Sequence, residues 1–276
     1  MAEGLSNQAY QTLVGLVYRH SHIRVGPDKG LMLSNRLRKR IDSMGLRSID
    51  EYADYLHETQ DPDEIEELVD LISTNHTHFF REETHFWFAV RTAIPAFLPA
   101  LQAGGTPLRL WSAACSSGEE PYTLALVVAD LMQQRPDLSW GITASDISNR
   151  MLAFAERGIY RMESVEPVPR ELLERYFQRG YDAWEGTCRV KAELRNKVHF
   201  QRINLFQPRY PVTERQHIIY CRNVLMYFDN QSRSMAVERL VDMLVPGGYL
   251  VIGNSESLFG IRHKLRSVQH GVYQLA

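Results

Sequence analysis

The chain has 276 residues, with 31 Lys and Arg against 33 Asp and Glu and a formal net charge of −2. That length allows one large domain, or one of about 180 residues with a smaller companion. The charge balance gives no global argument for nucleic acid or a membrane surface as partner.

Cys115, Cys188 and Cys221 are odd in number and lack metal-ligand spacing, which fits reduced, buried thiols of a cytosol. The opening residues lack the basic start and apolar core of a secretion signal. No apolar run approaches the roughly 20 residues of a membrane span. The expectation is a soluble, cytoplasmic protein without direct membrane insertion.

Residues 1–75 read as an all-α N-terminal domain, with apolar positions at helical spacing and no alternating strand pattern. Leu33, Leu37, Ile41 and Met44 form one apolar face, and Gly45 is a natural stop. Ser48 with Glu51 is a capping-box pattern. Pro62 follows the acidic cap Asp61, and acidic residues fill the next turn. Residues 76–92 read as a linker helix, and 93–276 as a second domain.

In that second region the texture becomes strand, loop, helix, repeated. "LRLWSA" is a strand, Pro121–Gln134 a helix, "WGITASD" a strand, Ser148–Arg157 a helix and "VHFQRINL" a strand. "HIIYC", the helix Gln231–Leu244, "VPGG" and the strand "YLVIGN" follow. The pattern predicts an α/β fold, a doubly wound and mostly parallel sheet with ligands at the carboxyl ends of its strands. "KLRSVQHGVYQLA" predicts an antiparallel edge hairpin. Residues 159–198 are too long for a crossover and predict an inserted, small antiparallel β-subdomain, with Gly180 and Gly186 around its short strands.

The loop "WSAACSSGEEPYT" sits where a dinucleotide site would carry three glycines, or a phosphate loop a lysine. Its small residues keep close backbone approach available. Glu119 and Glu120, however, occupy the positive end of the following helix and repel phosphate. NAD, FAD and ATP are disfavoured. A nucleoside with a cationic portion and no phosphate fits, and S-adenosylmethionine meets both conditions. Asp146, at the end of "ITASD", is placed to accept hydrogen bonds from ribose hydroxyls. It would equally cap the next helix, as Glu119 would its own. Asn204 and Leu205 end the third strand, and "CRNVLMYF" ends the fourth.

Taken in order, "NHTHFFRE", "WSAACSSGEEPYT", "ASDIS", "INL", "CRNVLMYFD", "VPGGYLVIGNSES" and "GVYQL" resemble the chemotaxis receptor glutamate methyltransferases, the CheR family. The resemblance implies an S-adenosylmethionine domain with a β-subdomain insert. It also implies methylation of glutamate side chains on the coiled-coil cytoplasmic region of chemoreceptors, with S-adenosylhomocysteine as product. By position it implies that Asn75, Thr77 and Arg81 contact the cofactor, with Arg81 suited to its carboxylate. Glu119 would face the cationic amino-acid portion, Asp146 the ribose, Asn204 and Leu205 the adenine. Asn223 and Val224 would lie near the methyl group, with Tyr227 beside it. Some relatives dock a receptor's C-terminal tail peptide on the β-subdomain. Whether Cys115 approaches the cofactor stays open, because "AAC" stands in a variable part of the loop.

A carboxylate is already ionised near neutral pH, so its methylation needs orientation and desolvation more than a base. Tyr227 is the expected positioning residue. Lys29, Arg36 and Arg40 recur at spacings of seven and four on a helix expected over about 27–44, making a basic stripe for an acidic receptor face. Phe79, Phe80, Phe86 and Trp87 read as packing, and no ligand set completes a metal site with His76, His78 and His85. A nucleic-acid methyltransferase would share the sheet, but "CRNVLMYF" lacks the Asn/Asp-Pro-Pro-aromatic loop of amino-group methylation. A regulatory module that binds cofactor without turnover is disfavoured by the intact Asn75–Arg81 run, Asp146 and Tyr227.

Overall fold

The computed structural model describes residues 5–276. The first four residues, part of the stretch read for a secretion signal, lie outside the described residues. The chain divides into two compact units, one of residues 5–74 with 226–232, the other of 75–225 with 233–276.

The first unit is helical: α1 (Asn7–Ser21), α2 (Gly30–Ser43), α3 (Ile49–Thr59) and α4 (Pro62–Ile72). Its starts and stops are local. Ser6, Ser48 and Asp61 each accept a first-turn N–H, and Pro62 occupies the first turn of α4, where its missing N–H costs nothing. Gly45, at φ 69°, follows the end of α2. The capping box is half formed: Ser48 accepts the Glu51 N–H, but the Glu51 carboxylate turns to the backbone and guanidinium of Arg47. Leu13, Leu16, Val17, Leu33, Leu37, Tyr52, Leu56 and Leu68 are fully buried. Truncating one such leucine to alanine costs about 2–5 kcal/mol. Residues 226–232 return to this unit: Arg24 N–H donates to the Tyr227 carbonyl (2.9 Å), Tyr18 hydroxyl donates to Asp229, and His22 pairs with Ser232 (2.7 Å).

The second unit opens on an irregular stretch. The expected linker helix over 76–92 starts only at Thr84, because Phe80 and Glu82 adopt left-handed φ of 56° and 54°, which an α-helix excludes. From there α5 (Thr84–Phe88) runs through a π turn (Ala89–Ala93) into α6 (Ile94–Gly104). Strands β1 (Leu108–Ala113), β2 (Trp140–Asp146), β6 (Val198–Arg202), β7 (Gln216–Cys221) and β8 (Leu244–Val251) are parallel neighbours. With β9 (Leu265–Gln269) and β10 (Val272–Leu275) they form a seven-stranded sheet of order β6-β2-β1-β7-β8-β10-β9, the last two antiparallel as expected for the terminal hairpin. Helices α7 (Glu119–Met132), α8 (Asn149–Arg157) and α9 (Asn230–Asp242) alternate with the strands.

"VPGG", which precedes the expected strand, is itself strand. It lies inside β8, paired with β7 around a register shift between Gln216 and Ile218. Gly247 takes φ 75°, and a Cβ on Gly248 would sit 2.8 Å from the Val245 carbonyl. These glycines therefore bend a strand that stays in the sheet. The insert is a three-stranded antiparallel sheet, β3 (Ile159–Arg161), β5 (Thr187–Val190) and β4 (Phe177–Arg179) in spatial order, with Gly186 turning at φ 77°. Among the described residues no helix is long and apolar enough to cross a membrane.

Candidate active site

Strand order reverses between β1 and β7, where Ala113 lies beside Cys221, so a crevice forms beyond these carboxyl ends. The loop 114–118 enters it with Ala114, Ser116 and Gly118 all at positive φ. Gly118 has no room for a side chain: a Cβ would stand 2.7 Å from Ala155 Cβ and 2.8 Å from the Tyr160 hydroxyl. Asp146, at the end of the neighbouring strand, holds this loop. Its Oδ2 accepts the Ser116 N–H (2.8 Å) and its Oδ1 the Ser148 N–H (2.9 Å). Cys115 is buried in the core, and burial pushes its thiol well above the usual range.

The irregular stretch 75–83 is stitched onto the same loop and helix. Ser116 hydroxyl donates to the Asn75 carbonyl (2.9 Å), and Phe80 N–H donates to Thr123 Oγ1 (3.2 Å). Arg81 closes the stretch by donating to the His76 carbonyl (2.8 Å). Among the described residues no carboxylate pairs with this guanidinium. Thr77 is half-buried nearby in sequence, and the His76 and His78 rings lie 6.1 Å apart, while His85 is buried away from them against Tyr220 and Glu82.

The two glutamates at the start of α7 differ. Glu120 accepts from Ser112 hydroxyl (2.7 Å) and Arg222 Nη1 (3.1 Å), so its charge is matched inside the protein. Glu119 is buried, takes a hydrogen bond from the Ser117 hydroxyl (2.6 Å), and among the described residues faces no cationic partner within ion-pair distance. Burial raises its carboxyl above the ordinary value, only partly opposed by Ser117 and its own N–H. A buried anion and an unpaired guanidinium thus await opposite charges, which is the requirement of a zwitterionic amino-acid group.

Asn204 and Leu205 follow β6, tied to Asp146 by the Ile203 N–H, which donates to the Asp146 carbonyl (3.0 Å). Asn204 Oδ1 accepts the Phe206 N–H (2.9 Å), a turn that leaves Leu205 buried. Asn223 follows β7 at φ 58°, half-buried, with Val224 beside it. Tyr227 ends a 3₁₀ turn (Leu225–Tyr227) and falls in the segment grouped with the helical unit.

Residues 75–273 match the family described as CheR methyltransferase, SAM binding domain, and residues 8–73 match CheR methyltransferase, all-alpha domain. The chain belongs to the CheR methyltransferase family. It is 35% identical over 272 residues to the chemotaxis protein methyltransferase of Escherichia coli strain K12, covering 99% of this chain and 92% of that one. It is 35% identical to chemotaxis protein methyltransferase 2 of Pseudomonas aeruginosa, covering 98% and 94%. The Borreliella burgdorferi chemotaxis protein methyltransferase is 34% identical, covering 90% and 87%. The cofactor of this CheR-family chain is S-adenosylmethionine.

Three residues escaped the sequence reading. Arg222 is buried beneath the crevice, stacked on Phe86 with its guanidinium carbon 5.2 Å from the ring centre. It donates through Nη2 to the Arg81 carbonyl and to Glu82 (3.0 Å). Glu256 accepts the N–H groups of Asn223 (2.8 Å) and Gly253 (2.7 Å). The signal for Arg222 was present: a cation directly after the wholly apolar end of β7 must be paired.

In the helical unit the basic stripe is engaged internally. Arg36 Nη1 donates to the carbonyls of Ile72 and Ser73, closing the end of α4, and Arg40 pairs bidentately with Glu64, which also accepts from Tyr52 hydroxyl (2.6 Å). Lys29 precedes α2 rather than lying on it, paired at the surface with Asp28 (2.8 Å). Arg38 and Lys39 are exposed. On the β-subdomain a cavity of about 390 Å³ is lined by Arg179, Tyr181, Trp184 and Arg189, with Tyr181 70% and Trp184 59% exposed. A second cavity, about 530 Å³, lies at the opposite, amino ends of β1, β2, β6 and β7.

Proposed function

We propose that this protein is a protein-glutamate O-methyltransferase, acting on glutamate side chains of the cytoplasmic coiled-coil region of chemoreceptors to form glutamyl methyl esters for sensory adaptation. The family and the chemotaxis names of its relatives support the setting. The observation that carries the choice of nucleophile is the commitment of the carboxylates at the crevice. Glu82 and Glu120 hold Arg222, Glu256 holds two backbone N–H groups, and Asp146 holds two more. Glu119, the remaining carboxylate, is taken in this reading by the ammonium of the cofactor, so among the described residues of the crevice no carboxylate is left over as a general base. A substrate carboxylate needs none, whereas an amine would first have to lose a proton.

Bound S-adenosylmethionine supplies an electrophilic methyl group on a sulfonium. Arg81 and Glu119 hold its amino-acid end, with Asn75 and Thr77 beside them. Asp146 takes the ribose and Asn204 with Leu205 the adenine, while Asn223 and Val224 border the methyl. Tyr227 orients the methyl group or the attacking carboxylate; among the described residues its hydroxyl makes no hydrogen bond of its own. The helical unit recognises the receptor through Lys29 and the exposed Arg38 and Lys39, while Arg36 and Arg40, expected in the same stripe, hold α4 in place beneath it. The cavity between Tyr181 and Trp184 receives a receptor tail peptide.

Tritiated methyl transfer to receptor cytoplasmic domains, with and without their last residues, tests the reading. The expected label is released as methanol by mild alkali, the signature of an ester. Alkali-stable label would overturn glutamate as the acceptor, and equal transfer to truncated receptors would remove the tail peptide. Tyr227→Phe should bind S-adenosylhomocysteine normally and slow transfer; undiminished turnover removes its role.

A further inference from the structure

The residues around Arg222 share an arrangement that neither packing nor charge neutralisation requires. Phe80, Glu82 and Asn223 are left-handed without being glycine, at φ 56°, 54° and 58°. For Phe80 and Glu82 this conformation is strained and persists only where the surroundings hold it, while asparagine tolerates it more readily. One carboxylate joins them. Glu82 accepts from Arg222 Nη2 (3.0 Å), from the Asn223 side-chain amide (3.3 Å) and from the Asn254 N–H (3.0 Å). The same Nη2 also donates to the Arg81 carbonyl. The guanidinium is 1% exposed and Glu82 15%, so water does not substitute for these bonds. Burial alone would raise the Glu82 carboxyl; Arg222, the Asn254 N–H and the Asn223 amide bring it below its ordinary value instead. Gly253 leaves the necessary space, since a Cβ there would lie 2.5 Å from the Asn223 amide nitrogen.

We infer that Glu82 and Arg222 are positioning residues, a buried clamp that fixes the Arg81 backbone and the Asn223 side chain as one rigid piece. The inference rests on the reading that Arg81 and Asn223 contact the cofactor. Glu120 provides the contrast. It binds the same guanidinium, yet its hydrogen bonds reach neither Asn223 nor the Arg81 stretch.

The test is a double-mutant cycle on S-adenosylhomocysteine affinity, measured by calorimetry on the full chain below its unfolding temperature. Glu82→Gln should weaken binding about tenfold, the loss of one well-placed charged hydrogen bond. On an Arg81→Ala background the same substitution should cost about threefold or less, because the group it positions is gone. A merely structural role gives equal losses in both backgrounds, and that result, or no loss at all, overturns the inference. Glu120→Gln should leave affinity within about threefold even where it lowers the unfolding midpoint as much; equal loss from both also overturns it. Arg81→Ala alone reads the underlying assignment: intact binding removes Arg81 from the cofactor site and the inference with it. Weakened binding with additive losses removes the inference alone. If Glu82→Gln does not fold, Glu82→Asp carries the same cycle, since it keeps the charge for Arg222 but falls short of Asn223 and Asn254.

Discussion

Glu119 and Glu120 are adjacent in sequence and opposite in circumstance. The first is a buried anion with one hydroxyl donor; the second is matched by Arg222 and Ser112. Glu119→Gln should therefore weaken S-adenosylhomocysteine binding more than Glu120→Gln, by roughly tenfold in a calorimetric titration. The pH dependence follows from the raised Glu119 carboxyl. Its anionic form, needed to meet an ammonium, is depleted as pH falls through that raised value, so affinity should rise with pH in the acidic range and level off above it. The Gln variant should flatten the rise. Gly118→Ala combines φ 94° with contact at 2.7 Å to Ala155, and should cost about 2–3 kcal/mol in chemical denaturation. Sequence made Glu119 visible because acids among small residues at a helix start are unusual in a nucleotide loop. It concealed Glu82, whose importance depends on three partners distant in sequence from it.

At the scale of elements, α2 shows what spacing can and cannot tell. Leu33, Leu37 and Ile41 are buried as the periodicity predicts, because burial of an apolar face is a property of the helix itself. Whether Arg36 and Arg40 face solvent depends on α4 packing alongside, which periodicity does not report. Arg40→Ala strands Glu64, itself 5% exposed, beside Tyr52, and should destabilise the helical unit by about 2 kcal/mol. The Arg40 side chain is 36% exposed, which keeps the loss below that of a fully buried pair. Charge reversal at Arg36 or Arg40 would thus confound recognition with unfolding. Reversal at Arg38 and Lys39 is the cleaner test, and should lower receptor methylation while leaving S-adenosylhomocysteine binding unchanged. "VPGG" teaches a similar lesson: two glycines and a proline signal a bend, but not whether the chain leaves the sheet.

For the molecule as a whole, the succession of strands and helices, the inserted sheet and the terminal hairpin were legible, since each depends on local periodicity and turn residues. The return of 226–232 to the first unit was not. No local pattern in "MYFDNQS" announces partners some two hundred positions earlier. Stability against acid is also set globally. Burial, reinforced by Arg222, depresses His85 to about 4. The unfolded chain takes up a proton near pH 6.5 that the folded one refuses, so stability should fall progressively from about pH 6.5 toward pH 4. His85→Phe should reduce that slope in denaturant titrations followed across the range.

The returning segment has a consequence for the order in which the protein is made. Arg24 N–H and Tyr18 find their partners on Tyr227 and Asp229, the latter 211 positions along the chain. During synthesis the N-terminal helices leave the ribosome with local contacts that form quickly, while these last bonds must wait until most of the chain has emerged. The helical unit is therefore first to begin and among the last to finish. In pulse-labelled hydrogen exchange on nascent chains of increasing length, the Arg24 amide should stay open until residue 227 is available, well after the amides of α1 have closed.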